Sequence, residues 1–161
     1  LPTELSGHVS FEYFVTLTHL CRECKEKIKK ADVFLKNLIF KKTSAILNVS
    51  SALAFVPAAM TPVYSATKAA MHSFSQSLRI QLKETNVKVF ELAPPVIKTP
   101  LMDKLGYDHP IASNPMGTDE LVKIVLKSLK NDNFEILPGQ SKTLKLISRI
   151  SPSFALNNLN K

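Results

Sequence analysis

Three segments in the middle of the chain predict an α/β fold built on a parallel sheet. Residues 45–49, Ala-Ile-Leu-Asn-Val, form a near-continuous apolar run, as expected of a parallel strand covered on both faces. Residues 87–92, Val-Lys-Val-Phe-Glu-Leu, form a second such run, stopped sharply by Ala93-Pro94-Pro95. Between them Thr61-Pro62 is a helix start, an N-cap followed by proline at the first position, and the helix it opens should reach about Glu84.

The size fits one domain over residues 1–161 with a buried core, and the apolar fraction of 45% is ordinary for a globular chain. No apolar run approaches the roughly 20 residues of a membrane span, so no membrane partner is expected. The first residues, Leu1-Pro2-Thr3-Glu4-Leu5, lack a basic segment followed by an apolar one, which predicts a cytoplasmic chain; a start without Met reads as that of a fragment. Net charge is +8, but the lysines are spread over helix faces and loops. The densest run, residues 25–30, is interrupted by Glu26 and has no interleaved aromatics, so it reads as a solvated face and no nucleic-acid partner is expected.

In chain order, residues 9–17 alternate Val9, Phe11, Tyr13, Val15 and Leu17 with mostly polar neighbours, which favours a strand over a helix. Cys21, Cys24, Ile28, Ala31, Leu35 and Leu38 then recur at spacings of three and four, the stripe of an amphipathic helix. That stripe absorbs Cys21 and Cys24 as small buried residues. A zinc site would need further ligands, and two thiols give no disulfide framework. Residues 51–60, rich in Ala and Pro, are too apolar for a tether and are expected to wall a substrate pocket. Residues 100–117 read as a long irregular segment, with His109 a loop residue. Residues 118–129 read as a helix with acids in its first turn and lysines in its last. Residues 134–137 read as a final strand and Pro138-Gly139 as a turn. Beyond lies a basic tail in which Phe154 and Leu156 either dock or fray.

Chemistry gathers at Tyr64 and Lys68. Four apart on a helix, they stand one above the other, roughly 5–6 Å apart at Cβ. An ammonium beside a phenol favours the phenolate, which suits the tyrosine to general acid and base work. Ser51 ends the first apolar run with a hydroxyl at its carboxyl end, where open parallel sheets place ligands. Ala66, Ala69, Ala70, Ser73 and Ser77 give the same helix a small-residue face, which suits either a second helix in close approach or packing on its own sheet. Phe74, Leu78 and Leu82 read as core, and His72 as a partly exposed helix residue.

Asn48-Val49-Ser50-Ser51, then Tyr64-x-x-x-Lys68, then Pro94-Pro95-Val96-Ile97-Lys98-Thr99 resemble the short-chain dehydrogenase/reductase family in order and spacing. Within it the bacterial oxidoreductases named for the teichoic-acid D-alanylation operon are most similar, since they also have Pro-Pro where most relatives have Pro-Gly. The resemblance covers about residues 35–160 and leaves residues 1–34 as an unmatched segment. It implies a partial Rossmann-like doubly wound parallel sheet, the C-terminal half of the family fold. It also implies an NAD or NADP cofactor, a small carbonyl or alcohol substrate, and a homo-oligomer through the Tyr64 helix. By resemblance Ser51, Tyr64 and Lys68 are catalytic, and Tyr64, Lys68, Pro94, Ile97 and Thr99 bind cofactor; Thr99 also reads as the cap of the next helix. The family's glycine-rich phosphate turn has no match, because the four glycines, Gly7, Gly106, Gly117 and Gly139, are far apart. The alternative expectation is therefore a catalytically impaired or inactive remnant, either inert or pairing with an intact relative.

Overall fold

The computed structural model describes residues 35–100 and 114–161. The strand expected at residues 9–17, the Cys21 and Cys24 stripe and His109 lie outside these residues. Residues 35–39 are helical, and the chain then runs through β1 (Ser44–Val49), a short 3-10 turn (Ala52–Ala54), α1 (Pro62–Gln81) and β2 (Val87–Leu92). After them come α2 (Thr118–Lys130), β3 (Glu135–Ile136), α3 (Gln140–Ile150) and α4 (Pro152–Leu159). The strands pair in the order β1-β2-β3, parallel throughout. Helix α1 is the crossover that a parallel pair requires.

Strand β2 is the centre of the sheet and its most buried element. Val89 and Phe90 are each 1% exposed, and the Phe90 ring lies 5.1 Å from that of Phe134. Leu78 and Leu82 pack against Val87 and Val89, with Leu35, Leu38, Ile46 and Phe74 around them. Strand β1 departs from the expected cover on both faces. Its Ile46 joins that core and Asn48 donates to Ser75 on α1, whereas Leu47 and Val49, on the opposite face, are 39% and 48% exposed. Period-two alternation thus overrides the continuous apolar reading at this strand.

Helix α1 docks through a polar stripe flanked by an apolar one. Lys68, His72, Ser75 and Arg79 recur at helical spacing, and each is bonded to the sheet: to Val49, Glu91, Asn48 and Val89 in turn. Arg79 also reaches the Phe134 carbonyl at 3.0 Å, tying α1 to the segment entering β3. Thr61 and Pro62 occupy the expected start positions, but the Thr61 hydroxyl makes no cap bond and is buried without a partner. The Ser65 hydroxyl instead accepts the Ala58 amide at 3.1 Å, pinning the preceding loop to the first turn. The helix stops at Gln81, short of Glu84, because Leu82 turns out of helical geometry to enter the core beside Val87.

The small-residue face of α1 is settled as well. Ala66, Ala69, Ala70, Ser73 and Ser77 are all exposed, so this face does not pack on the chain's own sheet.

Helix α2 has Asp119 and Glu120 in its first turn and Lys127 and Lys130 in its last, complementing the macrodipole as expected. Strand β3 is shorter than residues 134–137, though Phe134 and Ile136 still accept bonds from Glu91 and Ala93. Gly139 then turns with φ of 54°, a conformation that glycine adopts without steric cost. The basic tail is two helices. Ala155 and Leu159 of α4 bury against Val56 and Ala58, while Phe154 and Leu156 stay 58% and 43% exposed. The tail docks, but through the opposite pair of apolar residues. Asn160 completes the contact, its amide oxygen accepting the Ala59 N–H at 2.6 Å and its amide nitrogen donating to the Pro57 carbonyl at 3.1 Å.

Candidate active site

The β1–β2 ladder continues past both strand ends. The Ser50 amide donates to the Leu92 carbonyl at 2.8 Å and the Ala52 amide to the Pro94 carbonyl at 3.0 Å. Ser51 is therefore held between two ladder bonds, alongside Ala93-Pro94, at the carboxyl end of the sheet. It is 7% exposed, and its Oγ accepts the Leu53 N–H at 3.2 Å as the cap of the 3-10 turn. That bond uses a lone pair and leaves the hydroxyl proton available to donate.

Helix α1 approaches the same strand end. Lys68 Nζ donates to the carbonyl of Val49, the last residue of β1, at 3.1 Å. It also lies 5.5 Å from the centre of the Tyr64 ring, one turn earlier. Tyr64 is 45% exposed, so its phenol is open to an incoming molecule. The ammonium is thus fixed next to both the phenol and the strand end that leads to Ser51.

Beyond β2 the chain forms a strap. Ile97 and Met116 make an isolated parallel bridge, in which the Lys98 amide donates to Met116 and the Met116 amide to Val96, each at 2.9 Å. In a parallel bridge the middle residue's own N–H and C=O face away from the partner. Those of Ile97 take no partner among the described residues. Pro94 is half-buried against the Ser51 segment. Thr99 is half-buried directly before the helical Pro100, a position that serves either as a cap or as a ligand contact.

The family model described as short chain dehydrogenase matches residues 26–110, more than half the chain. This chain belongs to that family. An oxidoreductase of Bacillus subtilis named DltE is 42% identical over 117 residues, which are 73% of this chain and 46% of that protein. An oxidoreductase of Staphylococcus epidermidis is 38% identical over 69 residues, 43% of this chain and 30% of that one. Among solved structures, a short-chain dehydrogenase from Burkholderia cenocepacia in complex with NADP is similar with a TM-score of 0.63 at 23% identity. The match covers 74% of this chain and 48% of that one. A Sphingobium yanoikuyae short-chain dehydrogenase in complex with NADPH has a TM-score of 0.58 over the same shares of the two chains. The fold is therefore that of a partial Rossmann-like α/β sheet, and the chain spans less than half the length of these relatives.

This dehydrogenase-family chain also contains a buried polar network that the sequence did not reveal. Glu91, next to the carboxyl end of β2, is 0% exposed. Ser50 Oγ donates to its Oε1 at 2.5 Å, and His72 Nδ1 lies 2.9 and 2.8 Å from its two oxygens. Glu135 stands opposite Glu91 in the sheet register and pairs with Lys145 of α3. Donor atoms of His72, Glu91 and Glu135 lie within 4.8 Å of one another, close enough for a metal ion. These carboxylates are already satisfied by His72, Ser50 and Lys145, so the cluster is a hydrogen-bonded network that ends in the Glu135–Lys145 ion pair. His72 is a partly exposed helix residue, as expected, with its side chain 17% exposed, and it is also bonded to Glu91. The one sequence signal was the acid within an otherwise apolar buried strand, which needs a buried partner.

The loop after Ser51 does line a cleft, of about 280 Å³, with Leu53, Ala58 and Pro62 against Ala69 and Leu156. Tyr64, Lys68 and Ser51 do not line it, so it stands apart from the expected chemistry.

Proposed function

We propose that this chain is the catalytic side of an NAD(P)-dependent oxidoreductase acting on a small carbonyl or alcohol substrate. The observation that supports this most is the bond from Lys68 Nζ to the Val49 carbonyl beside the Tyr64 ring. It brings an ammonium and a phenol to the strand end that holds Ser51.

In this reading the Tyr64 hydroxyl gives its proton to the substrate oxygen in reduction and takes one back in oxidation. The Ser51 hydroxyl, oriented by its bond from the Leu53 amide, donates to the same oxygen as negative charge grows there. The Lys68 ammonium, beside the Tyr64 ring, offers its remaining N–H groups to the cofactor ribose. A bound nicotinamide supplies or receives the hydride. Its carboxamide suits the unpartnered backbone N–H and C=O of Ile97, with Thr99 and Pro94 at either end of the strap. The donor set of this chain thus fits the nicotinamide end of NAD(P), whereas its four glycines are too far apart in sequence for a glycine-rich diphosphate turn.

That last feature favours a second reading, a chain without turnover that pairs with an intact relative through α1. The exposed face of Ala66, Ala70, Ser73 and Ser77 allows close helix approach in either reading, and a homo-oligomer through it is part of the proposal. Titration of NADPH and NADH fluorescence with the purified chain separates the two. Saturable binding that is weakened in Lys68→Met supports the oxidoreductase; no binding at millimolar cofactor supports the second reading.

A further inference from the structure

We propose that Glu91 is the positioning residue of the candidate site, a buried carboxylate that sets the spacing between the Ser51 strand end and the Tyr64–Lys68 helix. The inference deepens the proposed oxidoreductase function and rests on it for its catalytic consequence.

Two arms meet at Glu91. One is the Ser50 hydroxyl, at 2.5 Å, from the residue directly before Ser51. The other is His72 Nδ1, at 2.8 Å, from the turn of α1 directly after Lys68. Tyr64, Lys68 and His72 are successive members of one i, i+4 stripe, so fixing His72 fixes the rotation and height of the two side chains above it. The His72 ring is itself held on its other side by Phe55, edge to face with centroids 4.9 Å apart. Glu91 lies three residues before Pro94, on the strand that leads into the Val96–Thr99 strap. A single carboxylate thus joins the hydroxyl strand end, the phenol–ammonium helix and the strand feeding the ligand strap.

Fold stability alone does not call for this arrangement. Taking a carboxylate out of water is costly, and replacing a buried polar pair by apolar residues of similar size is often neutral or stabilising. What an apolar pair cannot supply is direction, because hydrophobic contact is non-directional. The His72 bond ties α1 to β2 at Glu91 and the Ser50 bond ties the end of β1 to the same carboxylate, each in a fixed direction.

The test uses the full chain and reads Lys68 itself. Trace acetylation with acetic anhydride, followed by mass spectrometry, gives the labelling rate of Lys68 relative to Lys83, whose side chain is 77% exposed just beyond the end of α1. The variants are His72→Leu, His72→Asn and the double replacement Glu91→Leu with His72→Leu, each with its thermal midpoint measured. Loosening the clamp should raise the Lys68 to Lys83 ratio about threefold or more in His72→Leu and in the double variant, through local opening of the Lys68–Val49 bond. The double variant should do so even where its midpoint equals or exceeds that of the parent. His72→Asn keeps an N–H donor near the place of Nδ1 and should stay closer to the parent than His72→Leu. A parental ratio in a folded double variant overturns the proposal, as does a His72→Asn ratio no closer to the parent than that of His72→Leu.

Where a preparation reduces a carbonyl with NADPH, the double variant should lower kcat about 10- to 100-fold with little change in KM, the cost of an ångström-scale misplacement. Tyr64→Phe in the same preparation tests the function alone. Full turnover there overturns the proton-transfer role of Tyr64 and leaves the labelling result standing, so the two failures are distinguishable.

Discussion

Replacing Leu159 by alanine tests how the end of the chain supports the site. Leu159 is 7% exposed in a cluster with Val56, Ala58 and Ala155, and Val56 and Ala58 belong to the loop that follows Ser51. Leu-to-Ala changes in cores cost about 2–5 kcal/mol, less where the surroundings collapse into the space. This cluster is small and borders an open cleft, which places the expected loss near the lower end, about 2–3 kcal/mol. For a chain of this size that corresponds to a fall of roughly 5–10 °C in Tm, or about 1–2 M in the urea midpoint at an ordinary denaturant slope. The control is Phe154→Ala on the same helix. Phe154 is the larger side chain, yet it is 58% exposed, so its loss should stay within about 0.5 kcal/mol. Urea unfolding followed by circular dichroism measures both. A Phe154→Ala variant less stable than Leu159→Ala would mean that α4 docks by its other face and that the packing behind the Ser51 loop is wrong.

Two further changes probe the frame of the site. Gly139→Ala places a side chain at φ of 54° and ψ of −128°, a glycine region of the backbone map, so stability should drop by about 1–3 kcal/mol. The flexible end of Met116, 3.2 Å from the added Cβ, can move aside, so thermal melting should report backbone strain with the sheet intact. Ser65→Ala removes the acceptor of the Ala58 amide. It should cost about 1–3 kcal/mol for the orphaned buried donor and speed hydrogen exchange at Ala58 while leaving α1 helical; unchanged exchange there would contradict the pinning of the loop.

What the sequence disclosed depends on where its signals were local. Pro62 marked the start of α1 and Pro94 the end of β2, because proline restricts the backbone at its own position and at the one before. The parallel sheet followed from two apolar runs with a helix between them. Helix α3 was hidden because its buried members are Ser141 and Lys145, and Lys145 faces inward only because Glu135 waits there. Its other inward residues, Leu144 and Ile147, pack against the Val56 cluster, but Leu146 and Ile150 are exposed, so apolar residues fall on both faces and blur the stripe. Helix α4 misled in the opposite sense, since its bulkiest apolar residue, Phe154, is on the outside. Leu47 and Val49 read as buried on composition but lie on a half-exposed face of β1. At the site, the four-residue spacing of Tyr64 and Lys68 guaranteed that they share a helix face. The anchoring of Lys68 to Val49, 19 residues away, and of His72 to Glu91 are tertiary contacts without a local pattern. Glu91 shares the face of Val87 and Val89 by period two, which marks it as buried but does not name His72 and Ser50 as its partners.

The central claim, proton transfer by Tyr64, is tested most directly by turnover of Tyr64→Phe. In a preparation of the chain that oxidises NADPH at the expense of a carbonyl substrate, removing this one oxygen should abolish measurable reduction. The thermal midpoint should stay close to that of the parent, since Tyr64 is 45% exposed and its ring remains beside Lys68. Carbonyl reduction at the parental rate by a folded Tyr64→Phe chain would contradict the account.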